Sequence, residues 1–103
     1  MATSRSYLEY ISDQLSELEE ITYRPMMGEY LLYYRGKLIG GLYDDRLLVK
    51  PTSAAKVILR DAPLALPYEG AKEMLLVENA EDRVLMRRLF DALYADLPAP
   101  KRK

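Results

Sequence analysis

Cysteine, histidine and tryptophan are absent from this 103-residue sequence. Without cysteine there is no thiolate nucleophile and no disulfide, and without histidine no side chain ordinarily titrates near neutral pH. The nitrogen and sulfur ligands of zinc, haem and iron–sulfur sites are missing with them. We therefore predict a protein that is not an enzyme, with no catalytic residue, no cofactor and no metal site. Nothing in the composition indicates an oxidising compartment.

A dominant charge is missing as well. The 15 basic and 16 acidic side chains leave a formal charge of −1, which creates no field that would draw the chain to DNA or to an anionic membrane. Acidic residues interrupt the N-terminal segment, so neither a signal peptide nor a membrane span is predicted. We expect a cytoplasmic protein with no membrane partner, and no small-molecule substrate is indicated.

What the sequence does contain is a regular hydrophobic pattern, since half of its residues are hydrophobic. At this length that is enough for one continuous core. Apolar residues at helical spacing predict a first helix over residues 4–19, capped by Ser4 or Ser6. Residues 21–50 hold short runs of Tyr, Leu, Ile and Val separated by predicted turns at Gly28, Arg35-Gly36 and Asp44-Asp45, which is typical of an antiparallel meander.

The second half of the chain continues with shorter elements. A short helix capped by Thr52 or Ser53 is predicted to run to about residue 60, followed by an edge strand near residues 64–66. A strand at residues 74–77 and a final helix capped by Asn79 complete the pattern. The fold class predicted is α+β, an antiparallel meander with helices packed on one face. One domain is expected at residues 1–97, followed by a basic C-terminal tail at residues 98–103.

Two predicted turns, Arg35-Gly36 and Asp44-Asp45, set which strand residues share a face. One face is almost wholly apolar and is expected to contact the helices; it comprises Leu31, Tyr33, Leu38, Gly40, Leu42, Leu47 and Val49. The other face is mixed, and its tyrosines alternate with basic side chains. The candidate interface on that face consists of Tyr30, Tyr34, Lys37, Tyr43 and Arg46.

Three interpretations of the mixed face remain open. Tyrosine is a good strand former, so the pattern is also typical of an ordinary sheet. Tyrosine and arginine are enriched in protein interfaces, which favours a homodimer or another protein partner. Aromatic and basic groups together also bind single-stranded nucleic acid, and the terminal Lys101-Arg102-Lys103 would assist such weak binding. The leading hypothesis is a protein-interaction module, with nucleic-acid binding as the alternative.

Several stretches together resemble the N-terminal domain of the TfoX/Sxy family. They are residues 22–30 (TYRPMMGEY), 33–37 (YYRGK), 43–51 (YDDRLLVKP), 67–71 (PYEGA) and 97–100 (LPAP). The resemblance implies an α+β domain similar in fold to type III secretion chaperones, and it supplies no catalytic residues. In full-length members this domain precedes a helix-hairpin-helix-like domain, and the whole protein regulates natural competence with the cyclic-AMP receptor protein. The present residues correspond to the first domain, so we expect a regulatory or interaction role without the second.

Overall fold

Nine regular elements follow one another in the computed structural model, which describes residues 2–98. The helices are α1 (Arg5–Gln14), α2 (Ser53–Ile58) and α3 (Arg83–Asp96). The strands are β1 (Ile21–Met26), β2 (Glu29–Tyr34), β3 (Lys37–Leu42), β4 (Leu47–Val49), β5 (Leu64–Ala65) and β6 (Met74–Val77). The strands form one antiparallel sheet in the order β1-β2-β3-β4-β6-β5. The predicted α+β class is confirmed. The predicted basic tail lies outside the described residues from residue 99 onward.

The helices begin where a side chain can accept a hydrogen bond from a backbone N–H of the first turn. Ser4 accepts from the N–H of Tyr7 at 3.2 Å and caps α1. Thr52 caps α2 in the same way through the N–H of Ala55. For α3 the predicted cap is wrong: Asp82, not Asn79, accepts from Leu85.

Two helix boundaries differ from prediction because the chain forms turns beside them. The N–H of Asp82 donates to the carbonyl of Asn79, which closes a turn before α3 begins. The helix α1 ends at Gln14 instead of residue 19, since the following residues make tighter turns. Those turns still bring Leu15 and Leu18 into the core, where they are 2% and 9% exposed.

Three hairpin turns connect β1 to β4, and each has two central residues with positive φ. The pairs are Met27-Gly28, Arg35-Gly36 and Asp44-Asp45. This is the type I′ geometry, whose twist matches that of the flanking strands. The turns predicted at Gly28, Arg35-Gly36 and Asp44-Asp45 are therefore correctly placed, and the Arg35-Gly36 turn sets Tyr34 opposite Lys37 as expected.

A bulge in β3 reverses part of the predicted face assignment. Leu32 pairs with Gly40 and Tyr33 pairs with Leu38, so Ile39 is the extra residue. A one-residue shift moves a strand's side chains to the opposite face. Leu42, Leu47 and Val49 do face the helices as predicted, and the bulge places the even-numbered residues of β2 on that same face. The predicted assignment is wrong for β2 and for the beginning of β3.

The core lies between the sheet and the three helices. Its largest fully buried side chains include Ile11, Leu32, Ile39, Leu47, Met86, Leu89, Phe90 and Leu93. We call this side of the sheet the inner face and the opposite side the outer face. Within residues 2–98, no helix is long and apolar enough to cross a membrane.

Candidate interaction face

Tyr30 and Tyr34, two of the predicted interface residues, lie on the inner face. Tyr34 is 2% exposed, and its hydroxyl donates to Oδ1 of Asp91 in α3 at 2.7 Å. Its ring packs against Phe90 in an edge-on arrangement, with centroids 6.0 Å apart. Burial raises the pKa of Tyr34, and the hydrogen bond to Asp91 and the charge of that carboxylate raise it further. Tyr34 therefore stabilises the attachment of α3 to the sheet.

Lys37 also contacts α3, at its C-terminal end. Its Nζ donates to the carbonyl oxygens of Tyr94 and Leu97, each at 2.8 Å. The same ammonium lies 3.9 Å from the centroid of the Tyr94 ring. A cation at this position satisfies helix carbonyls and complements the helix dipole. The side chain has a structural explanation that requires no partner.

Tyr43 and Arg46 are on the outer face. Tyr43 is 5% exposed, and its ring centroid lies 6.2 Å from that of Tyr68. Arg46 donates from Nε to the carbonyl of Tyr43 and from Nη2 to the carbonyl of Leu66, both at 3.1 Å. The five predicted residues are thus divided between two faces and do not form one surface. The alternative hypothesis of nucleic-acid binding placed these tyrosines on one face, whereas Tyr34 and Tyr43 lie on opposite faces of the sheet.

A segment from residue 66 to residue 73, here called the strap, crosses the outer face. Arg46 holds it at Leu66, Tyr68 contacts Tyr43, and Pro67 is buried. Leu48 is fully buried as well, although it is not part of the core between the sheet and the helices. The outer face therefore has a small apolar layer of its own.

The strap separates two open grooves, both lined by Pro67 and Tyr68. The turn groove has a volume of about 880 Å³ and lies beside the hairpin turns; its walls include Met26, Met27, Glu29, Asp44, Leu66 and Glu69. The central groove, of about 620 Å³, is lined by residues that include Leu38, Tyr43, Lys50, Lys72, Glu73 and Met74. A third groove of about 550 Å³ lies near the Arg35-Gly36 turn and includes Tyr33, Lys37 and Lys50.

The turn groove carries the exposed apolar surface of this face. Met27 is 95% exposed, Tyr68 57% and Leu66 46%. Such a cluster around a concavity is characteristic of interaction sites, whereas single exposed apolar residues are ordinary. None of these three residues was among the interface residues predicted from the sequence. Of the three, only Met27 could have been noticed from the sequence, because it is an apolar residue in a turn where asparagine, aspartate or glycine is favoured.

A hydrogen-bond network holds the rim of the turn groove in place. Thr3 donates from its backbone to the carbonyl of Gly28 at 3.0 Å and from its hydroxyl to Oε1 of Glu29 at 2.8 Å. The same carboxylate oxygen accepts from the N–H of Asp44 at 3.1 Å, and the N–H of Asp45 donates to the Thr3 hydroxyl at 3.3 Å. The N-terminal segment thereby links the Met27-Gly28 turn to the Asp44-Asp45 turn, and these hydrogen bonds fix the position of the backbone that carries Met27.

The chemistry of the face is that of contact and fixed charge. Burial raises the pKa of Tyr43, and nearby Tyr68 and Glu29 raise it further, so its phenol stays neutral near physiological pH. In the part of the chain that the structure describes, no three acidic side chains are placed to hold a metal ion together. The turn groove is lined by two methionines, Met26 and Met27, whose flexible side chains can adapt to the surface of a partner.

Comparison with known proteins agrees with this architecture. The sequence signature of the TfoX N-terminal domain matches residues 13–95, which include all six strands and the whole strap. An uncharacterized 12.7 kDa protein of Spirochaeta aurantia, described as lying in the trpE 5′ region, is 35% identical over 102 residues. The alignment covers 98% of this chain and 89% of that protein. No solved structure matches the chain.

Proposed function

This chain belongs to the TfoX N-terminal domain family, and from that membership and the geometry of the turn groove we propose that it is a cytoplasmic, non-enzymatic regulatory module. It binds a protein partner through the outer face of its sheet. The turn groove and the strap form the contact surface, while the inner face is occupied by the helices. The observation that carries the proposal is the position of Met27.

Met27 breaks two local preferences at once. Its φ is 52°, a left-handed conformation that side chains other than Asn, Asp and Gly adopt at a cost. Its apolar side chain is 95% exposed, so nothing within residues 2–98 offsets that cost by burial. Residues that break local rules without a structural gain are expected at functional sites. A partner that covers Met27 supplies the missing burial.

The shape of the surface favours a protein over a small molecule. Met27 projects from the tip of a hairpin, and a ligand lying in the groove would cover one side of it only. A partner surface would surround the side chain and cover Tyr68 and Leu66 together. The Arg46 guanidinium, the cation in the wall, already donates to two backbone carbonyls. It is thus engaged within the protein.

The test uses Met27→Asn, which removes the apolar side chain and keeps a residue that favours the turn conformation. Val84→Gln is the matched control, because Val84 is 79% exposed on α3 and lies away from the outer face. Wild type and both variants serve as bait in native-host lysate, and captured proteins are quantified. We expect one set of proteins to be retained by wild type and Val84→Gln and lost by Met27→Asn.

The free energy of unfolding separates loss of binding from loss of fold. Met27→Asn should unfold at the same free energy as wild type or about 0.5 kcal/mol higher, because asparagine relieves the strain of the turn. Capture of the same proteins at the same yield by all three baits would overturn the proposal.

A further inference from the structure

The charges around the outer face are distributed unevenly. The turn groove has three carboxylates in its walls, those of Glu29, Asp44 and Glu69. Its one cation, Arg46, is held by backbone carbonyls. At the other end, the groove near the Arg35-Gly36 turn is lined by Lys37 and Lys50 and by no acidic residue among those described. Lys37 is held by the carbonyls of Tyr94 and Leu97, so Lys50 is the cation of this groove that a partner could contact. Lys50 also lines the central groove, together with Lys72 and Glu73.

The direction of the strands separates these two charge groups. Antiparallel neighbours reverse at each hairpin, so the turns at Met27-Gly28 and Asp44-Asp45 lie at one end of the sheet, and the turn at Arg35-Gly36 lies at the other. A strand of six residues such as β3 spans about 20 Å. The carboxylates of the outer face therefore lie mainly at the end with the Met27-Gly28 and Asp44-Asp45 turns, although Arg24 on β1 is an exposed cation in that half. Lys50 and Lys72 lie at the other end, with Glu73 beside them. We call these the acidic end and the basic end, and the apolar walls of the central groove lie between them.

We infer that the partner is a second copy of this chain, packed against the first through the outer face in an antiparallel arrangement. This inference rests on the proposed use of that face for protein binding. A two-fold axis lying between the two sheets and perpendicular to their strands sets the acidic end of each copy against the basic end of the other. The interface is isologous, so each ion contact occurs twice.

The face carries its own electrostatic complement, and this favours a second copy over an unrelated protein. An arrangement with the strands parallel would set carboxylates against carboxylates and ammonium groups against ammonium groups, which is unfavourable. The antiparallel arrangement also covers the exposed Tyr68 and Met27 of both copies. Apolar contact then provides the attraction, and charge selects the orientation.

The first measurement is the molar mass by multi-angle light scattering over a range of protein concentrations. We expect it to approach twice the 11.9 kDa mass of one chain as the concentration rises. A mass that stays at 11.9 kDa at the highest soluble concentration would overturn the inference.

Charge exchange tests the orientation. Glu69 and Lys50 make no ion pair with another described residue, so their substitution leaves the described ion pairs intact. Glu69→Lys alone and Lys50→Glu alone should each weaken the dimer about tenfold, since two symmetry-related contacts change sign together. The double variant should return to within about threefold of wild type. Lys56→Glu, on the helix side, is the charge-matched control and should leave the dissociation constant unchanged.

The absence of cysteine permits a second test, which reports which residues lie close together in the dimer. Glu69→Cys and Lys50→Cys are prepared separately, mixed and treated with a short bismaleimide. The antiparallel dimer should give mixed cross-links in excess over those between identical variants. Equal or greater cross-linking between two Glu69→Cys chains would overturn the orientation, as would a double charge variant that is weaker than either single one.

These results are distinguishable from failure of the proposed function. A monomeric wild type whose protein capture is still lost with Met27→Asn would overturn the second copy as partner and leave the interaction face standing. A monomeric wild type with capture unaffected by Met27→Asn would overturn both.

Discussion

Lys37 offers a direct test of whether a predicted interface residue is structural. Lys37→Met removes the ammonium that donates to the carbonyls of Tyr94 and Leu97 and lies over the Tyr94 ring. Methionine keeps most of the aliphatic stem, so packing along that stem is largely retained. The substitution thus isolates the contribution of the charged group to the attachment of α3.

The magnitude follows from these contacts. A net contribution of about 1 kcal/mol is expected for the hydrogen bonds, which are partly exposed. The cation–π contact adds about 0.5–1 kcal/mol, and the favourable charge at a helix C-terminus adds about 0.5 kcal/mol. We therefore expect the free energy of unfolding to fall by about 2 kcal/mol. For a domain of this length that corresponds to a decrease in Tm of about 10 °C.

Thermal and urea unfolding, followed by circular dichroism, measures this loss. Protein concentration must be low enough to keep the chain monomeric, because association would add to the apparent stability. Lys56→Met is the matched control, since Lys56 is exposed on α2 and makes none of the described side-chain hydrogen bonds or ion pairs. A loss below about 0.5 kcal/mol for Lys37→Met would refute the structural role derived from its contacts.

Two further outcomes follow from the cap of α3 and from the buried phenol. Asp82→Ala should lower the free energy of unfolding by about 1 kcal/mol, whereas Asn79→Ala should change it by less than about 0.5 kcal/mol; equal losses in urea unfolding would contradict the assignment of the cap. The folded-state pKa of Tyr34 is raised above 10.0, so its contribution to stability is fully present below pH 10.0 and is lost as the pH rises through the raised value. Tyr34→Phe should therefore make the alkaline decline of unfolding free energy shallower, and an unchanged slope in urea unfolding at several alkaline pH values would contradict this.

The strands and turns were predictable because their signals are local. Gly36, Asp44 and Asp45 are residue types that tolerate positive φ, and their φ values are 84°, 54° and 56°. Short apolar runs on both sides then require hairpins. The same locality accounts for the short edge strand β5 and for β6, which formed where they were expected.

The face of β2 was not predictable, because it depends on one extra residue in β3. The sequence of β2, EYLLYY, has apolar side chains on both faces, so alternation alone does not identify the buried one. Gly40 pairs with both Leu32 and Val49, and a side chain there would collide with the carbonyl of Leu48. The neighbouring strand β4 approaches Gly40 closely beside the bulge at Ile39. This approach depends on the packing of one strand on another, which the local sequence of β2 does not reveal.

The candidate site depends on the strap, whose position no local pattern reveals. Leu66 contacts Arg46, which is 20 residues away in the sequence, and Tyr68 contacts Tyr43 over a still longer separation. Between them, Pro67 is buried although it lies in a segment rich in turn residues. The loop itself was predicted correctly from its proline and glycine residues, but its path over the outer face is set by these long-range contacts.

The three hairpin turns differ in whether the folded chain offsets the cost of their positive φ angles. Asp44 suits its positive φ, and its N–H bonds to Glu29. Arg35 fits its conformation less well, but its guanidinium lies 5.3 Å from the ring of Tyr34 and contributes a cation–π contact. Met27 has the same backbone strain and no comparable inward contact among residues 2–98, while its side chain is almost fully exposed. Two turns are thus explained by contacts within residues 2–98, whereas the strain at Met27 is not, and this difference is why the proposed interaction is centred on Met27.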